Sequence, residues 1–283
     1  MAKKISFYAS KPLPAIGQGT WYMGENPTQH ADEVHALRAG IDLGLTLIDT
    51  AEMYADGGAE EVVAEAISGR RDDVFLVSKV YPWNAGGQRA IAACEGSLKR
   101  LKTDYLDLYL LHWRGDIPLE ETVSAMQQLI EQGKIRRWGV SNLDAADMQA
   151  LWNIAGGREC AANQVLYHLA SRGIEHDLLP WCQQQQMPVM AYCPLAQAGR
   201  LRSGLMNHPA LNELASHKGV TIAQLLLVWV IHHDGVMAIP KAGSVAHVKE
   251  NAAALDVVLN QEEIAVMEKA FPAPGRKTPL DMV

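Results

Sequence analysis

Short apolar runs alternate regularly with longer amphipathic segments along most of the chain. Eight runs have the length and character of buried strands, and they lie at 16–19, 46–49, 74–80, 105–112, 137–141, 161–165, 188–192 and 236–240. Eight segments with helical periodicity alternate with them, at 31–43, 58–68, 87–101, 119–132, 144–155, 175–186, 221–233 and 245–255. This order is typical of repeated βα units, whose parallel strands are buried on both faces.

Eight such units predict an α/β fold, and specifically a (β/α)8 TIM barrel. The residues before the first unit include Ile5, Phe7 and Leu13, and they predict a short N-terminal hairpin at the bottom of the barrel. Residues 260–271 predict an extra C-terminal helix, followed by a loop that contains proline and glycine. Since no linker rich in proline and serine divides the chain, we expect residues 1–283 to form a single barrel domain.

A doubly wound sheet would show the same alternation of strands and helices. Its usual mark is a glycine-rich turn that leads from the first strand directly into a helix. Gly17 and Gly19 supply two of the three glycines, but Tyr22 stands at the third position and no helix pattern follows at once. The barrel is therefore the preferred architecture.

Composition excludes several classes of function. The chain is 48% hydrophobic and 20% charged, with a formal net charge of -7 and a pI near 5.8, which argues against nucleic acid as a partner. The N-terminus has no apolar segment of signal-peptide length, and the longest apolar run, 225–231, is far too short to span a membrane. We therefore expect a cytoplasmic protein without a membrane partner. Four scattered cysteines, with no C-x-x-C spacing, indicate neither a metal site nor a redox dithiol.

Four ionisable residues fall at the carboxyl ends of consecutive predicted strands. Asp49 ends the second strand, Tyr54 lies in the loop after it, Lys79 lies near the end of the third and His112 ends the fourth. In a barrel these ends converge on one face, where active sites are built. Each residue alone has an ordinary explanation as a helix cap, a surface residue or a core histidine. Charges at the tips of buried strands are costly unless they are paired, so we expect Asp49 to pair with Lys79.

These residues stand in the segments LIDTAEMY, VSKV and YLDLYLLHW, and together the segments resemble those of the aldo-keto reductase family. The resemblance extends from Gly17 to Asn251, and it implies the (β/α)8 fold. It also implies the catalytic tetrad of the family, which is Asp49, Tyr54, Lys79 and His112 in this chain. The implied activity is that of an oxidoreductase: NADPH-dependent reduction of a small aldehyde, ketone or 2-oxoaldehyde, such as methylglyoxal, to an alcohol.

The chemistry explains why these residue types are needed. Hydride addition to a carbonyl leaves negative charge on oxygen, and a tyrosine of ordinary pKa near 10 is a weak donor at neutral pH. The ammonium of Lys79 would favour the phenolate of Tyr54, and Asp49 would keep that lysine charged. His112 would orient the carbonyl as a neutral imidazole. The predicted substrate pocket is lined by Trp21, Tyr54, Trp83, His112 and Trp113.

The resemblance also predicts the cofactor site. Its residues follow the strands around the barrel, and they are Gly19, Thr20, Trp21, Asp49, Ser141, Asn142, Gln164, Tyr192, Pro194, Leu195, Gln197, Gly199, Ile239, Pro240, Lys241, Ser244, His247, Glu250 and Asn251. Cys193 and Ala242 stand where many members have serine, and His247 stands at the place of an arginine. A histidine holds a 2′-phosphate less firmly than an arginine, so NADPH is expected and NADH stays open.

Two other functions compete with reduction. Lys79 could form a Schiff base in an aldolase-like lyase, although that chemistry needs a neutral amine and Asp49 would keep the lysine charged. A nicotinamide-binding subunit that senses redox state would also show the cofactor segments, but it would not need a complete tetrad. For the reductase, the expected partner is a small-molecule carbonyl substrate, and the expected state is a monomer.

Overall fold

The computed structural model describes residues 3–7, 10–197 and 200–283. The chain begins with a hairpin, in which β1 (Lys4–Ile5) pairs antiparallel with β2 (Leu13–Pro14). The predicted N-terminal hairpin is thus confirmed. The side chain of Lys3 joins it to the barrel, because its Nζ donates to the carbonyl oxygens of His232 and His233, both at 2.8 Å.

Eight parallel strands follow, and each pairs with the next along the chain. They are β3 (Gln18–Gly19), β4 (Leu47–Asp49), β5 (Phe75–Val80), β6 (Leu108–Leu111), β7 (Trp138–Ser141), β8 (Asn163–Leu166), β9 (Val189–Tyr192) and β10 (Val236–Ala238). The first and last strands meet, since Gly17 N–H donates to the Ala238 carbonyl at 2.9 Å and Gly19 N–H donates to the Pro240 carbonyl at 3.0 Å. The sheet therefore closes, and the predicted (β/α)8 fold is confirmed.

Eleven α-helices occur within the described ranges. They are α1 (His30–Asp42), α2 (Gly58–Ala66), α3 (Gly87–Leu101), α4 (Leu119–Glu131), α5 (Ala145–Trp152), α6 (Leu178–Gln184), α7 (Arg200–Met206), α8 (Pro209–Lys218), α9 (Ile222–His232), α10 (Val245–Ala253) and α11 (Gln261–Ala270). The eight helices predicted between strands and the extra C-terminal helix are all present. The prediction missed α7 and α8. Their apolar periodicity is weak, and α8 buries only Leu211 and Ala215 as it packs against α9 and α11.

The core lies between the strands and the ring of helices. All six residues of β5 are buried, as are the seven apolar residues 225–231 of α9. The N-terminus of α9 is closed by reciprocal hydrogen bonds between Thr221 and Gln224. Three cysteines are buried and Cys193 is partly exposed, and all four are free thiols. Within the described ranges, no single helix is long and apolar enough to cross a membrane, and only the pair α8 and α9, bent by 92°, passes that test by length and composition.

The residues after α11 form no regular secondary structure, as the sequence predicts, but they lie against the barrel. Lys277 Nζ contacts Asp177 at 2.7 Å and Asp144 at 3.1 Å. Asp281 accepts a hydrogen bond from the hydroxyl of Ser171. These contacts bring the last residues of the tail to the carboxyl-terminal face of the barrel.

Candidate active site

A buried lysine links the strand ends at the centre of this face. Lys79 Nζ donates to Asp49 Oδ2 at 2.7 Å, to the carbonyl oxygen of Thr50 at 2.8 Å and to Tyr54 Oη at 2.9 Å. An ammonium has three N–H donors, and all three have a partner here. Lys79 is 0% exposed and Asp49 is 2% exposed, so the pair is shielded from solvent. Asp49 Oδ1 accepts a further bond from Gln164 Nε2 at 2.7 Å.

Tyr54 lies on a loop of unusual backbone conformation. It begins a 3-10 turn that ends at Gly57, and the three residues after it have positive φ angles: 51° at Ala55, 52° at Asp56 and 90° at Gly57. Left-handed conformations cost roughly 1–2 kcal/mol at each residue that carries a Cβ. Contacts with neighbouring elements must therefore hold the loop in this shape.

Burial dominates the protonation of this cluster. It raises the pKa of Asp49 and lowers the pKa of Lys79, while the attraction between their charges opposes both shifts. The carboxylate accepts two hydrogen bonds and all three ammonium donors are used, so we treat the pair as ionised. Burial, with Asp49 nearby, also raises the pKa of Tyr54 well above its ordinary value. This direction is opposite to the lowering of the Tyr54 pKa that was expected from Lys79, because burial of the phenol dominates. The phenol is therefore protonated at neutral pH, which is the form that can give up a proton.

His112 stands beside the tyrosine as an uncharged ring. Its ring centroid is 5.9 Å from that of Tyr54, and the two rings meet edge to face. Burial, with Lys79 as a further cause, lowers the pKa of His112 from 6.5 to about 2. The imidazole is therefore neutral over the whole physiological range, as the sequence argument expected. Its Nδ1 is buried without a hydrogen-bond partner among the described residues.

Above the cluster lies a cavity of about 240 Å³. Three of the four predicted catalytic residues line it, namely Asp49, Tyr54 and His112, whereas Lys79 lies beneath the surface and contacts Tyr54 from behind. The predicted cofactor residues that line the cavity are Gly19, Thr20, Trp21, Asp49, Ser141, Asn142, Gln164, Tyr192, Pro194, Leu195, Gln197, Ile239, Pro240 and Lys241. Predicted residues from seven separate segments of the chain thus surround one cavity.

Polar groups on one side of the cavity form a connected set. Asn142 Nδ2 donates to the His112 carbonyl at 3.1 Å and to Ser141 Oγ at 3.2 Å, and Asn142 Oδ1 accepts from Tyr192 Oη at 2.8 Å. Ser141 Oγ donates to the Gln164 carbonyl at 2.8 Å. On another part of the lining stand the cations Arg202 and Lys241. The amide and hydroxyl groups suit the hydrogen bonds of a carboxamide. The two cations suit the negative charge of phosphates.

Several predicted site residues do not line the cavity. Trp83 is 54% exposed and stacks on Tyr81, with its ring centroid 4.3 Å away. Ser244, His247, Glu250 and Asn251 lie beyond the lining, at the start of α10 and along it. The Ser244 hydroxyl caps that helix by accepting from the His247 N–H at 3.4 Å. Gly199 lies outside the described residues.

The cavity also includes residues that the prediction did not assign to the site, namely Tyr22, Met53, Cys193, Ala196, Arg202, Met282 and Val283. Tyr22 stacks on Trp21, with 4.8 Å between ring centroids, and its hydroxyl accepts from Gln197 Nε2 at 2.8 Å. Arg202 donates to the Leu195 carbonyl at 3.0 Å. Its position shortly after the predicted cofactor residues Pro194 to Gly199 was a usable signal. The sequence held no such signal for Met282 and Val283.

The sequence model of the aldo/keto reductase family matches residues 15–271. The chain belongs to the aldo-keto reductase family. Methylglyoxal reductase YeaE of Escherichia coli is 69% identical over 281 residues, and the alignment covers 99% of each chain. Two crystal structures of an aldo-keto reductase from Klebsiella pneumoniae, one in complex with NADP and acetate and one with NADPH, are each 67% identical to this aldo-keto reductase, cover 100% of both chains and have a TM-score of 0.98.

Proposed function

We propose that this aldo-keto reductase uses NADPH to reduce the carbonyl of small aldehydes, ketones and 2-oxoaldehydes, methylglyoxal included, to alcohols. The observation that carries the proposal is the contact of Lys79 with Tyr54 at the floor of the cavity, beside a neutral His112. The similarity to a methylglyoxal reductase and to structures that hold NADP or NADPH supports the substrate and the cofactor.

In the proposed mechanism, the substrate carbonyl lies between Tyr54 Oη and His112. Bound NADPH supplies the hydride that adds to the carbonyl carbon. As negative charge develops on the carbonyl oxygen, Tyr54 donates its proton to that oxygen. The ammonium of Lys79, 2.9 Å from Tyr54 Oη, stabilises the phenolate that is left, and Asp49 holds the ammonium in place. His112 orients the carbonyl by donating a hydrogen bond from its neutral ring.

The arrangement of Lys79 favours reduction over the lyase alternative. A Schiff base requires the amine to reach a substrate carbonyl as a free nucleophile. Here the amine is fully buried, does not line the cavity and uses all three of its donors on protein oxygens. Lys79 therefore acts through Tyr54 in our proposal, and it does not attack substrate.

For the cofactor, we propose that the polar set at the ends of β7 and β8 binds the carboxamide. Ser141, Asn142 and Gln164 carry its hydrogen bonds, and the ring of Tyr192 stacks on the nicotinamide. Lys241, Ser244 and His247 hold the 2′-phosphate, with Lys241 as the permanent charge. The remaining contacts come from the segments 19–21, 194–199 and 239–240, and from Glu250 and Asn251 at the adenosine end.

For the substrate, we propose that Trp21, Tyr54, His112 and Trp113 form the walls of the pocket. Trp83 contributes indirectly, since its ring packs against Trp113 with 5.8 Å between centroids. The single-domain organisation, the monomeric state and the cytoplasmic location stay predictions from the sequence.

The test is a kinetic survey in which loss of NADPH or NADH absorbance is followed with methylglyoxal, small aldehydes, ketones and sugars. We expect reduction of methylglyoxal with a preference for NADPH. The control is Tyr54→Phe, which removes the proton donor and keeps the ring, so it should lose turnover and bind NADPH as wild type does. If no carbonyl compound is reduced, or if Tyr54→Phe turns over at the wild-type rate, the proposal is wrong.

A further inference from the structure

A second buried carboxylate lies behind the lysine. Glu60, on α2, is 0% exposed, and each of its two oxygens has a different partner. Ser78 Oγ donates to Oε1 at 2.6 Å, and Arg100 Nε donates to Oε2 at 2.6 Å. Ser78 directly precedes Lys79 on β5, and since side chains alternate along a strand, Ser78 meets the helices while Lys79 meets the barrel interior. Glu60 is thus hydrogen-bonded to β5 through Ser78, the residue that precedes the buried lysine.

The second partner of Glu60, Arg100, lies over the loop that contains Tyr54. Arg100 belongs to α3, and its aliphatic part crosses Gly57, the last residue of the turn that Tyr54 begins. A Cβ added to Gly57 would lie 2.5 Å from Arg100 Cδ and 2.6 Å from its Nε. Only a glycine at this place allows so close an approach. Arg100 therefore covers the left-handed segment that follows Tyr54.

We propose that Glu60 is a positioning residue, which ties the strand of Lys79 to the loop of Tyr54 through Ser78 on one side and Arg100 on the other. The proposal rests on the proposed function, because it concerns the distance on which proton donation depends. The hydrogen bond of 2.9 Å between Lys79 and Tyr54 joins β5 to the loop that follows β4. The length of this hydrogen bond depends on the positions of β5 and of the Tyr54 loop, and therefore on the contacts that fix these two elements.

Two further observations support this role. The left-handed residues Ala55 and Asp56 require outside contacts to keep their conformation, and the side chain of Arg100 provides one at Gly57. Burial lowers the pKa of Lys79, and the charge of Glu60 opposes that shift, after the larger effect of Asp49. Glu60 therefore favours both the position and the charge of the ammonium.

A separate tie limits the size of the expected effect. Glu52 Oε1 accepts a hydrogen bond from the N–H of Tyr81 at 2.7 Å, which also joins the loop after β4 to the end of β5. This bond persists when Glu60 or Ser78 is changed. A misplacement of about 1 Å can cost on the order of 100-fold in rate. The backbone N–H of Thr50 also donates to the Val77 carbonyl at 2.9 Å. With these bonds intact we expect a smaller displacement and a loss of about tenfold.

The experiment compares Ser78→Ala and Glu60→Gln with wild type in single turnovers of NADPH and methylglyoxal. Ser78→Ala removes the link to β5, and Glu60→Gln replaces the charge that holds Arg100 by an amide. We expect the rate constant for hydride transfer to fall about tenfold in each, with an unchanged Kd for NADPH. A merely structural role would lower the amplitude, which counts folded enzyme, and would leave the rate constant as in wild type.

Asp107→Asn is the matched control. Asp107 also holds β5, because its Oδ2 accepts from the N–H of Leu76 at 2.9 Å, and it also pairs with an arginine, Arg71, at 2.8 Å. It does so at the opposite end of the strand from the cavity. We expect Asp107→Asn to lower the free energy of unfolding and to keep the wild-type rate constant. An equal loss of rate in Asp107→Asn would overturn the proposal, as would wild-type rate constants in both test variants.

Crystal structures of the three variants separate this proposal from the proposed function. If wild type reduces no carbonyl, the proposed function fails and the distance between Lys79 Nζ and Tyr54 Oη decides the positioning role. A longer distance in Ser78→Ala and Glu60→Gln, but not in Asp107→Asn, supports it. An unchanged distance in both test variants overturns it. If Glu60→Gln does not fold, Ser78→Ala, which removes a single hydroxyl, carries the test.

Discussion

Replacing Lys79 by Met removes the charge beneath the proton donor and keeps an unbranched side chain of similar length. The change leaves Tyr54 with its phenol but without the ammonium 2.9 Å from its oxygen. We expect Tyr54 to become a much poorer acid, because nothing then compensates the negative charge that forms on its oxygen in a buried site. Turnover should fall although the ring, the cavity and the cofactor contacts persist.

The size of the effect follows from the contact distance. Two unit charges 2.9 Å apart attract by about 6 kcal/mol at an effective dielectric constant of about 20. If about half of the negative charge has developed on Tyr54 in the transition state, the loss is about 3 kcal/mol, or on the order of 100-fold in kcat. The same substitution leaves Asp49 buried with only the bond from Gln164, so the protein should also lose about 3–5 kcal/mol of stability.

The assay is a double-mutant cycle of Lys79→Met and Tyr54→Phe. Single-turnover rate constants are measured in wild type, both single variants and the double variant, with Kd for NADPH from tryptophan fluorescence and Tm from thermal unfolding. If Lys79 acts through Tyr54, it has no further effect once the phenol is gone, so the double variant should match Tyr54→Phe. The Kd for NADPH should stay close to that of wild type in all four proteins.

Two results would contradict the role of Lys79. One is a rate constant in Lys79→Met within about threefold of wild type, which would mean that the ammonium contributes less than about 1 kcal/mol. The other is an equal loss from Lys79→Met in the presence and in the absence of the Tyr54 hydroxyl. Additive losses would show that the two residues act independently.

The remaining predictions concern cofactor choice and pH. His247→Arg should tighten NADPH binding by about 1 kcal/mol and leave NADH binding unchanged, because a fixed charge joins Lys241 at the 2′-phosphate, and equal NADPH affinities would place residue 247 away from the phosphate. Burial lowers the pKa of His168 from 6.5 to about 4, with Asp281 opposing the shift. Its contribution to stability is therefore complete above pH 6.5 and falls by about 3 kcal/mol as the pH drops to 4, since only the unfolded chain takes up the proton. In urea denaturation the difference between wild type and His168→Asn should narrow by that amount over this range, and parallel pH profiles would contradict it.

Part of the active site could be predicted because its signals are local. Asp49, Lys79 and His112 each end an apolar run, and the ends of consecutive barrel strands converge whatever the helices between them look like. The sequence did not reveal that Lys79 lies under the cavity with all its donors used, since its partner Thr50 contributes a backbone carbonyl that carries no sequence signal. It also did not reveal that burial raises the pKa of Tyr54, because burial depends on every element around the ring.

Other features depended on contacts between distant parts of the chain. The orientation of Trp83 is set by its packing on Tyr81, and the sequence pattern around it suits a cavity wall equally well. The helices α7 and α8 have weak periodicity; α8 packs on α9 and α11, and α7 packs on α8. Arg202 reaches the cavity only because α7 forms.

The barrel, its N-terminal hairpin and its last helix could be predicted from the sequence, because apolar periodicity and turn residues are local patterns that involve a few neighbouring positions. The position of the tetrad on one face could be predicted as well, because the order of strands in such a barrel follows their order in the chain. The return of the tail to the cavity with Met282 and Val283, and the contact of Glu60 with Ser78 behind Lys79, became visible only in the folded chain. These contacts link residues far apart in the chain, and their free energy comes from burial and pairing that no local pattern records.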